Sequence, residues 1–293
     1  MAISPAHRFG QMIGEVLEVT IEPILSDFAE KYDLYLDKKG PRPVRDGAKA
    51  TWTDLNGNKH DLDFVLERGG TPEKQGTPVA FIEVAWRRYT KHSRNKAQEI
   101  QGAIMPLFET HKNHHPFKGA VLAGEFTDGS LTQLKSLGFC VAYFHYESIL
   151  KAFSVVGIDA SSDENTPDRE FAKKFARWKA LKPPARIVIS QELTKINSGE
   201  IDSFIKALHD VTMRTIKTVR ILPLHGCAIE CSNVQDAINF IQAYREDGKF
   251  IPLVRYEVLV IYMNGDKISG EFAAKDVAIE FLKSYSTDPK AAL

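Results

Sequence analysis

The chain contains little cysteine: only three of its 293 residues, Cys140, Cys227 and Cys231, carry a thiol. Their spacing matches neither a disulfide framework nor a zinc-finger pattern. The sequence also lacks the roughly 18–20 continuous apolar residues of a membrane span, and its first ten residues have no apolar signal-peptide segment. We therefore expect a reduced, cytoplasmic protein with no membrane partner.

A net charge of either sign is also absent, because 38 basic residues balance 38 acidic ones. This balance does not exclude nucleic acid, since binding requires a local basic face and not a basic total. Residues 86–118 contain seven Lys/Arg and two Asp/Glu, and such a segment could neutralise phosphates. A second basic segment, 173–186, could grip a DNA backbone or be a solvated amphipathic helix.

Apolar periodicity and turn residues predict the order αβββαβαβ over the first half of the chain. Pro23 is expected to kink or interrupt the first helix, and Asn56-Gly57 is expected to join the first two strands as a hairpin. The predicted elements are helix 9–32, strands 48–55, 60–68 and 78–86, a helix through 96–104, strand 117–126, helix 130–138 and strand 139–149. This order predicts an α/β (α+β) fold with a mixed central sheet flanked by helices.

A polar segment, 160–168, predicts a boundary between a domain over 1–160 and a smaller α/β domain over 165–293. Asn264-Gly265 is expected to join the last two strands. The elements expected beyond the boundary are a basic helix after 168, helix 201–216, strand 217–231, helix 233–246, strands 252–263 and 266–272, and helix 274–285. No internal repeat is evident.

Two carboxylates stand inside apolar runs. Asp63 lies in HDLDFVLER and Glu83 in PVAFIEVAW. Buried strands rarely carry acids without a partner, because an unpaired charge is costly there. Two such acids followed by a basic segment predict a divalent-metal site directed at a phosphate. The alternatives are an exposed Asp63 on an amphipathic strand, Asp61 in its place, and an ordinary ion pair for Glu83.

Two further groups could be read as metal ligands. His111, His114 and His115 cluster in THKNHHPFKG, although a polar or phosphate-contacting loop is the preferred interpretation. Cys227 and Cys231 are interpreted as small core residues in preference to a zinc pair.

The element order, with Asp63 on the second strand and Glu83 on the third, resembles the PD-(D/E)xK nuclease superfamily, many of whose members are type II restriction endonucleases. The resemblance covers about residues 9–150. Leu62 stands where the motif has proline, and Ala85 stands where it has lysine. Some members of this family carry the cation on the following helix.

The candidates for that cation are Arg87, Lys91 and Lys96, and we favour Lys96. If Ser93 is the N-cap, Lys96 is the third helical residue, where a capping box would have Glu or Gln. A lysine there also opposes the helix dipole, and a broken local rule is typical of functional sites.

The resemblance also implies one more acid from the first helix, for which Glu15 fits best, with Glu18 behind it. It implies Mg²⁺-dependent, sequence-specific hydrolysis of double-stranded DNA by a homodimer, with a methyltransferase as a possible partner. Residues 165–293 would then recognise DNA, mediate dimerisation or do both. The alternatives are a repair, recombination or defence nuclease of the same fold, and a DNA-binding module that has lost catalysis, which Ala85 favours.

Overall fold

The computed structural model describes residues 4–224, 226–246, 253–263 and 265–285. The chain divides into two compact units, Met1–Lys112 with Pro116–Leu208, and Asn113–His115 with His209–Leu293. The division therefore falls after Leu208 and not at the polar segment 160–168, because the helices that follow that segment pack in the first unit.

The elements from the start of the chain to the division are numbered in chain order. The strands are β1 Leu34–Lys38, β2 Ala50–Thr53, β3 Lys59–Leu62, β4 Phe64–Arg68, β5 Thr77–Arg87, β6 Phe117–Gly124 and β7 Cys140–His145. The helices are α1 Pro5–Lys31, α2 Ser93–Thr110, α3 Asp128–Ser136, α4 Tyr146–Ser154, α5 Asp168–Ala180, α6 Pro183–Ile196 and α7 Ser198–Thr212, which ends beyond the division.

A five-stranded mixed sheet, in the order β1-β4-β5-β6-β7, forms the centre of the first unit. β1, β4 and β5 are antiparallel, whereas β5, β6 and β7 are parallel. The predicted α/β class with a helix-flanked mixed sheet is confirmed at this level. β5 is buried along nearly all its length because α1 and α2 both pack against it.

The predicted strand 60–68 is two strands with different partners. β3 pairs with β2 in the expected hairpin, while β4 pairs with β1 and β5. Asp63 is the bend between β3 and β4. Its neighbours Leu62 and Phe64 are both buried, so the chain changes sheets here without leaving the core.

Four other local predictions differ from the structure. β1 and α6 were not predicted, and the expected strand 139–149 is β7 followed by α4. α1 also runs through Pro23 without a break. Proline has no amide hydrogen, so Pro23 cannot donate to the carbonyl of Val19, four residues earlier. The Val19 side chain is exposed, so water can donate a hydrogen bond to that carbonyl instead.

The second unit contains β8 Ile216–Pro223, β9 Ile229–Cys231, α8 Val234–Ala243, β10 Tyr256–Tyr262, β11 Lys267–Phe272 and α9 Lys275–Lys283. Its sheet order is β11-β10-β8-β9. The predicted strand 217–231 is therefore the hairpin β8–β9. The unit is a tandem ββα repeat, and the expectation that the chain has no internal repeat was wrong. β10 and β11 form the other expected hairpin, although Asn264 lies outside the described residues.

No helix in the described part of the chain combines the length and the apolar character needed to cross a membrane.

Candidate active site

Strand register brings the two predicted acids together. Phe64 of β4 lies opposite Ile82 of β5. The same antiparallel register, extended to the residue before Phe64 and the residue after Ile82, sets Asp63 opposite Glu83. Residues directly opposite in antiparallel strands have Cβ atoms about 4.5–5.5 Å apart. On the other side of β4, Lys38 lies opposite Phe64, which places Lys39 beside Asp63 in the same row.

Asp63 is held by the backbone of β5. Its Oδ2 accepts a hydrogen bond from the Val84 amide at 2.7 Å. Burial raises the pKa of the Asp63 carboxyl, while the Val84 amide and the charges of Lys96 and Lys39 lower it. The bend after β3 thus directs a carboxylate toward the middle of β5, where the backbone fixes one oxygen and leaves the other for a further partner.

Glu83 is the most perturbed acid of this group. Its residue is only 7% exposed. Burial, followed by the charge of Asp63, raises the pKa of Glu83 to about 8, against the opposing effect of Lys96. Two carboxylates that share a water-poor site cannot both ionise easily without a cation. The pair is therefore arranged to gain from a positive ligand.

Lys96 lies between two carboxylates. Its Nζ is 3.9 Å from Glu83 Oε2 and 3.5 Å from Glu99 Oε2. Glu99 also accepts from the Arg87 guanidinium at 3.4 Å. The Lys96 amine is thus close to the acid pair without a short hydrogen bond to it. Glu99 is a second carboxylate with which the amine can interact.

The capping argument used for Lys96 was wrong by one residue. His92 is the N-cap of α2 and Ser93 is the first helical residue, which makes Lys96 the fourth. The Ser93 hydroxyl is instead buried against the Ser130 hydroxyl, at 2.9 Å, where it joins the starts of α2 and α3. Lys96 nevertheless lies beside Glu83, and its role as the displaced cation stays a prediction.

Ala85, which stands at the position of the motif lysine, is buried in the core. It is 4% exposed and packs in the apolar cluster that also contains Phe81 and Ala97. A lysine at 85 would place its stem in this core, whereas Lys96 reaches the acids from the rim. Of the other candidates, Arg87 contacts Glu99 and Lys91 is exposed on the turn before α2.

Glu18 is the acid of α1 that interacts with the pair. Burial and then the charge of Asp63 raise the pKa of Glu18, and Glu18 in turn raises that of Glu83. Glu15, the predicted residue, lies about one turn earlier and is exposed. Its assignment stays a prediction, but the electrostatic contacts of Glu18 make that residue the better candidate.

The donor set fits a hard divalent cation. Mg²⁺ takes oxygen ligands and is commonly held by one or two carboxylates, with waters and substrate phosphates completing its coordination. Asp63 and Glu83 supply two such carboxylates, and their mutual repulsion would be relieved by the ion. Within the described residues no three His, Cys, Asp or Glu side chains form a ready-made cluster, so the pair would depend on water and phosphate ligands.

Lys39 is a contributor to this site that was not predicted. No strand was expected over 34–38, and it is the pairing of β1 with β4 that places Lys39 beside Asp63. Glu99 contacts Lys96 within α2, whereas its contact with Arg87 depends on how α2 lies against β5. A sequence signal existed only for Glu99, which is one helical turn from Lys96.

The histidines of 111–115 do not join this site. The His111 ring lies 5.7 Å from Trp52 and 6.0 Å from Phe81, as an aromatic packing residue. The His114 carbonyl accepts from Arg214 at 3.0 Å.

No family model matches the chain, and no curated protein matches it. Among solved structures, the crystal structure of the protein of unknown function AF1548 is similar with a TM-score of 0.25 and 8% identity, over 63% of this chain and 99% of that one.

Proposed function

We propose that the protein is a Mg²⁺-dependent endonuclease that hydrolyses phosphodiester bonds of double-stranded DNA at specific sequences, as type II restriction enzymes do. One observation carries the proposal: the buried carboxylate of Glu83 lies next to the partly buried carboxylate of Asp63, with Lys96 Nζ 3.9 Å from Glu83. An acid pair with a raised pKa and a specific charged neighbour is typical of a catalytic centre.

Each residue would have a separate role. Asp63 and Glu83 would hold Mg²⁺, which when bound acidifies a water molecule and stabilises charge on the leaving oxygen. Lys96 would orient the attacking water or neutralise the transition-state phosphate, with Glu99 positioning its amine. Arg87, together with the exposed cations at the start of α2, would contact DNA phosphates beside the site.

The binding-module alternative rested on Ala85, and Lys96 weakens it because a cation does lie beside Glu83. Incubation of the full chain with unmethylated plasmid and phage DNA, with Mg²⁺ or with EDTA, tests the proposal. Discrete fragments that require Mg²⁺ are expected. Random degradation would instead indicate a nuclease that recognises DNA structure, and binding without cleavage would overturn the proposed activity.

Lys96→Ala should lower the cleavage rate by about 10²–10⁴-fold, the range of a positioned proton-transfer or charge-stabilising group. Half-saturation by Mg²⁺ should not worsen, because the variant loses a cation that competes for Glu83. Single-turnover cleavage over a Mg²⁺ titration separates the two quantities. Lys91→Ala is the matched control, since its side chain is exposed on the preceding turn; a larger loss in that variant would move the catalytic role to Lys91.

Glu18→Gln and Glu15→Gln form a matched pair on α1. Because Glu18 interacts electrostatically with Asp63 and Glu83, its loss should weaken Mg²⁺ binding by about 10-fold, as loss of a supporting group around a metal commonly does. The exposed Glu15 should leave binding unchanged. Calorimetric titration with Mg²⁺ gives both affinities, and the reverse order would restore Glu15 as the third acid.

A further inference from the structure

The two halves of the second unit repeat each other. β8-β9-α8 and β10-β11-α9 have the same order, and the helical segments AINFIQAY (237–244) and AIEFLKSY (278–285) align without a gap. In the strands, Val219 corresponds to Val258 and Ile221 to Val260 after a shift of 39 positions. The repeat is therefore present in sequence and in structure.

The strand pairing gives the repeat a local two-fold axis. Val219 lies opposite Val260, and Ile221 lies opposite Val258. Because Val219 corresponds to Val258 and Ile221 to Val260, exchanging the two halves of the repeat gives the same two pairs. Arg220 and Leu259 lie opposite each other and correspond to each other. The axis thus passes through this pair, at the centre of the four-stranded sheet.

Among the described residues of this unit, the helices α8 and α9 cover one face of the sheet. Val219, Ile221, Val258 and Val260 point into the core under α8 and α9 and are buried. Strand alternation directs the intervening residues to the opposite face. That face, which we call the open face, carries the partly exposed apolar residues Leu222, Leu259 and Ile261 around Arg220. Arg220, Leu222 and Leu259 also line a shallow depression of about 670 Å³.

The charges of the open face are balanced. Arg220 contacts Glu230 at 2.5 Å, and Arg255 contacts Glu271 at 3.1 Å. Strand alternation directs two more charged residues, Glu257 and Lys267, to this face, which therefore carries three basic and three acidic residues. DNA requires a net positive surface, which this face does not provide. A face that combines apolar residues with paired charges of both signs is complementary to a second copy of itself.

We propose that the open face binds the open face of a second copy, so that two four-stranded sheets stack as a sandwich with the helices outside. Packed sheets of this kind lie about 10 Å apart. Four strands about 4.8 Å apart and ~20 Å long give a face of roughly 400 Å², less than the ~800 Å² per partner of a standard interface. The dimer should therefore be reversible, and it does not depend on the proposed nuclease activity.

Sedimentation of the full chain over a range of concentrations tests this proposal. A monomer–dimer equilibrium is expected, and Leu259→Arg should weaken it by roughly 30-fold or more, because two like charges would meet at the centre of the interface. Val277→Arg is the matched control on α9, where the side chain is 51% exposed. Circular dichroism establishes that each variant is folded, and Leu259→Ala gives a milder test at the same position.

A mixing experiment identifies the face directly. Copies with Leu259→Arg and copies with Leu259→Glu should each stay monomeric and should form a mixed dimer together, since the centre of a two-fold interface contacts itself. A monomeric wild type at every concentration, or a dimer unchanged by Leu259→Arg, would overturn the proposal. So would loss of duplex-DNA binding by Leu259→Arg without a change in mass, which would assign the face to nucleic acid.

Discussion

Glu83→Gln should abolish Mg²⁺-dependent cleavage, by at least about 10³-fold or ~4 kcal/mol of barrier, and at the same time make the protein more stable at neutral and alkaline pH. The first effect follows from loss of a metal ligand. The second follows from burial and from Asp63, which raise the pKa of Glu83 to about 8. Glutamine keeps the shape of the side chain and removes the charge that the site opposes.

The sign of the stability effect depends on proton binding. The pKa of Glu83 is about 8 in the folded protein, against an ordinary value of 4.5, so between those pH values the folded state binds more protons than the unfolded state. Stability therefore falls as pH rises through this window and levels off above it. The gain from Glu83→Gln should be near zero at about pH 5 and on the order of 2–4 kcal/mol at about pH 8.5.

Chemical unfolding at both pH values, in EDTA and in Mg²⁺, measures this gain. In EDTA the variant should be the more stable protein at high pH; Mg²⁺ should stabilise the wild type and leave the variant unchanged. Glu99→Gln is the matched control, because its side chain is 58% exposed and also contacts Lys96. A Glu83→Gln protein that is less stable at every pH would show that the Glu83–Lys96 contact is a structural ion pair.

The sequence was sufficient to place the two acids in one region but not to give their geometry. Glu83 could be recognised because it interrupts an otherwise apolar strand. A charged side chain is buried in such a strand only when it has a partner. Asp63 was assigned to a regular strand, and its position at a bend between two sheets follows from the pairing of β4 with β1 and β5. Pairing between distant segments is not encoded in local periodicity.

The same limit accounts for the other differences. Ser93 has the right residue type for an N-cap, but burial against Ser130 gave its hydroxyl a different partner. The repeat in the second unit was not recognised from the sequence because its two halves align with a shift of 39 residues in the strands and 41 residues in the helices. Few of the aligned residues are identical. Its clearest trace is the conserved spacing of the buried residues Ala237 and Ile241, matched by Ala278 and Leu282.

Arg42→Ala should be the most destabilising of the substitutions considered, at about 3–5 kcal/mol, because it leaves the buried carboxylate of Glu67 without its cation. Asp37 keeps a second cation, Arg45. Arg42 is 4% exposed, and its guanidinium contacts Glu67 at 2.5 Å and Asp37 at 3.0 Å. It also donates to the carbonyls of Thr71 and Lys74 at 2.8 and 2.9 Å. One side chain thus fixes β1, β4 and the loop before β5.

The cluster also bears on the candidate site, because Asp37 of β1 lies two residues before Lys39, in the strand that places Lys39 beside Asp63. Urea unfolding compares Arg42→Ala with Lys49→Ala, whose 2.6 Å pair with Asp61 is exposed and should have no measurable effect on stability. The double variant Arg42→Met with Glu67→Leu should recover part of the loss, since it removes both charges but still removes the Arg42 hydrogen bonds to the carbonyls of Thr71 and Lys74, each of which keeps one backbone donor. Equal stabilities for Arg42→Ala and Lys49→Ala would mean that water reaches these carboxylates and that the cluster does not hold the sheet edge.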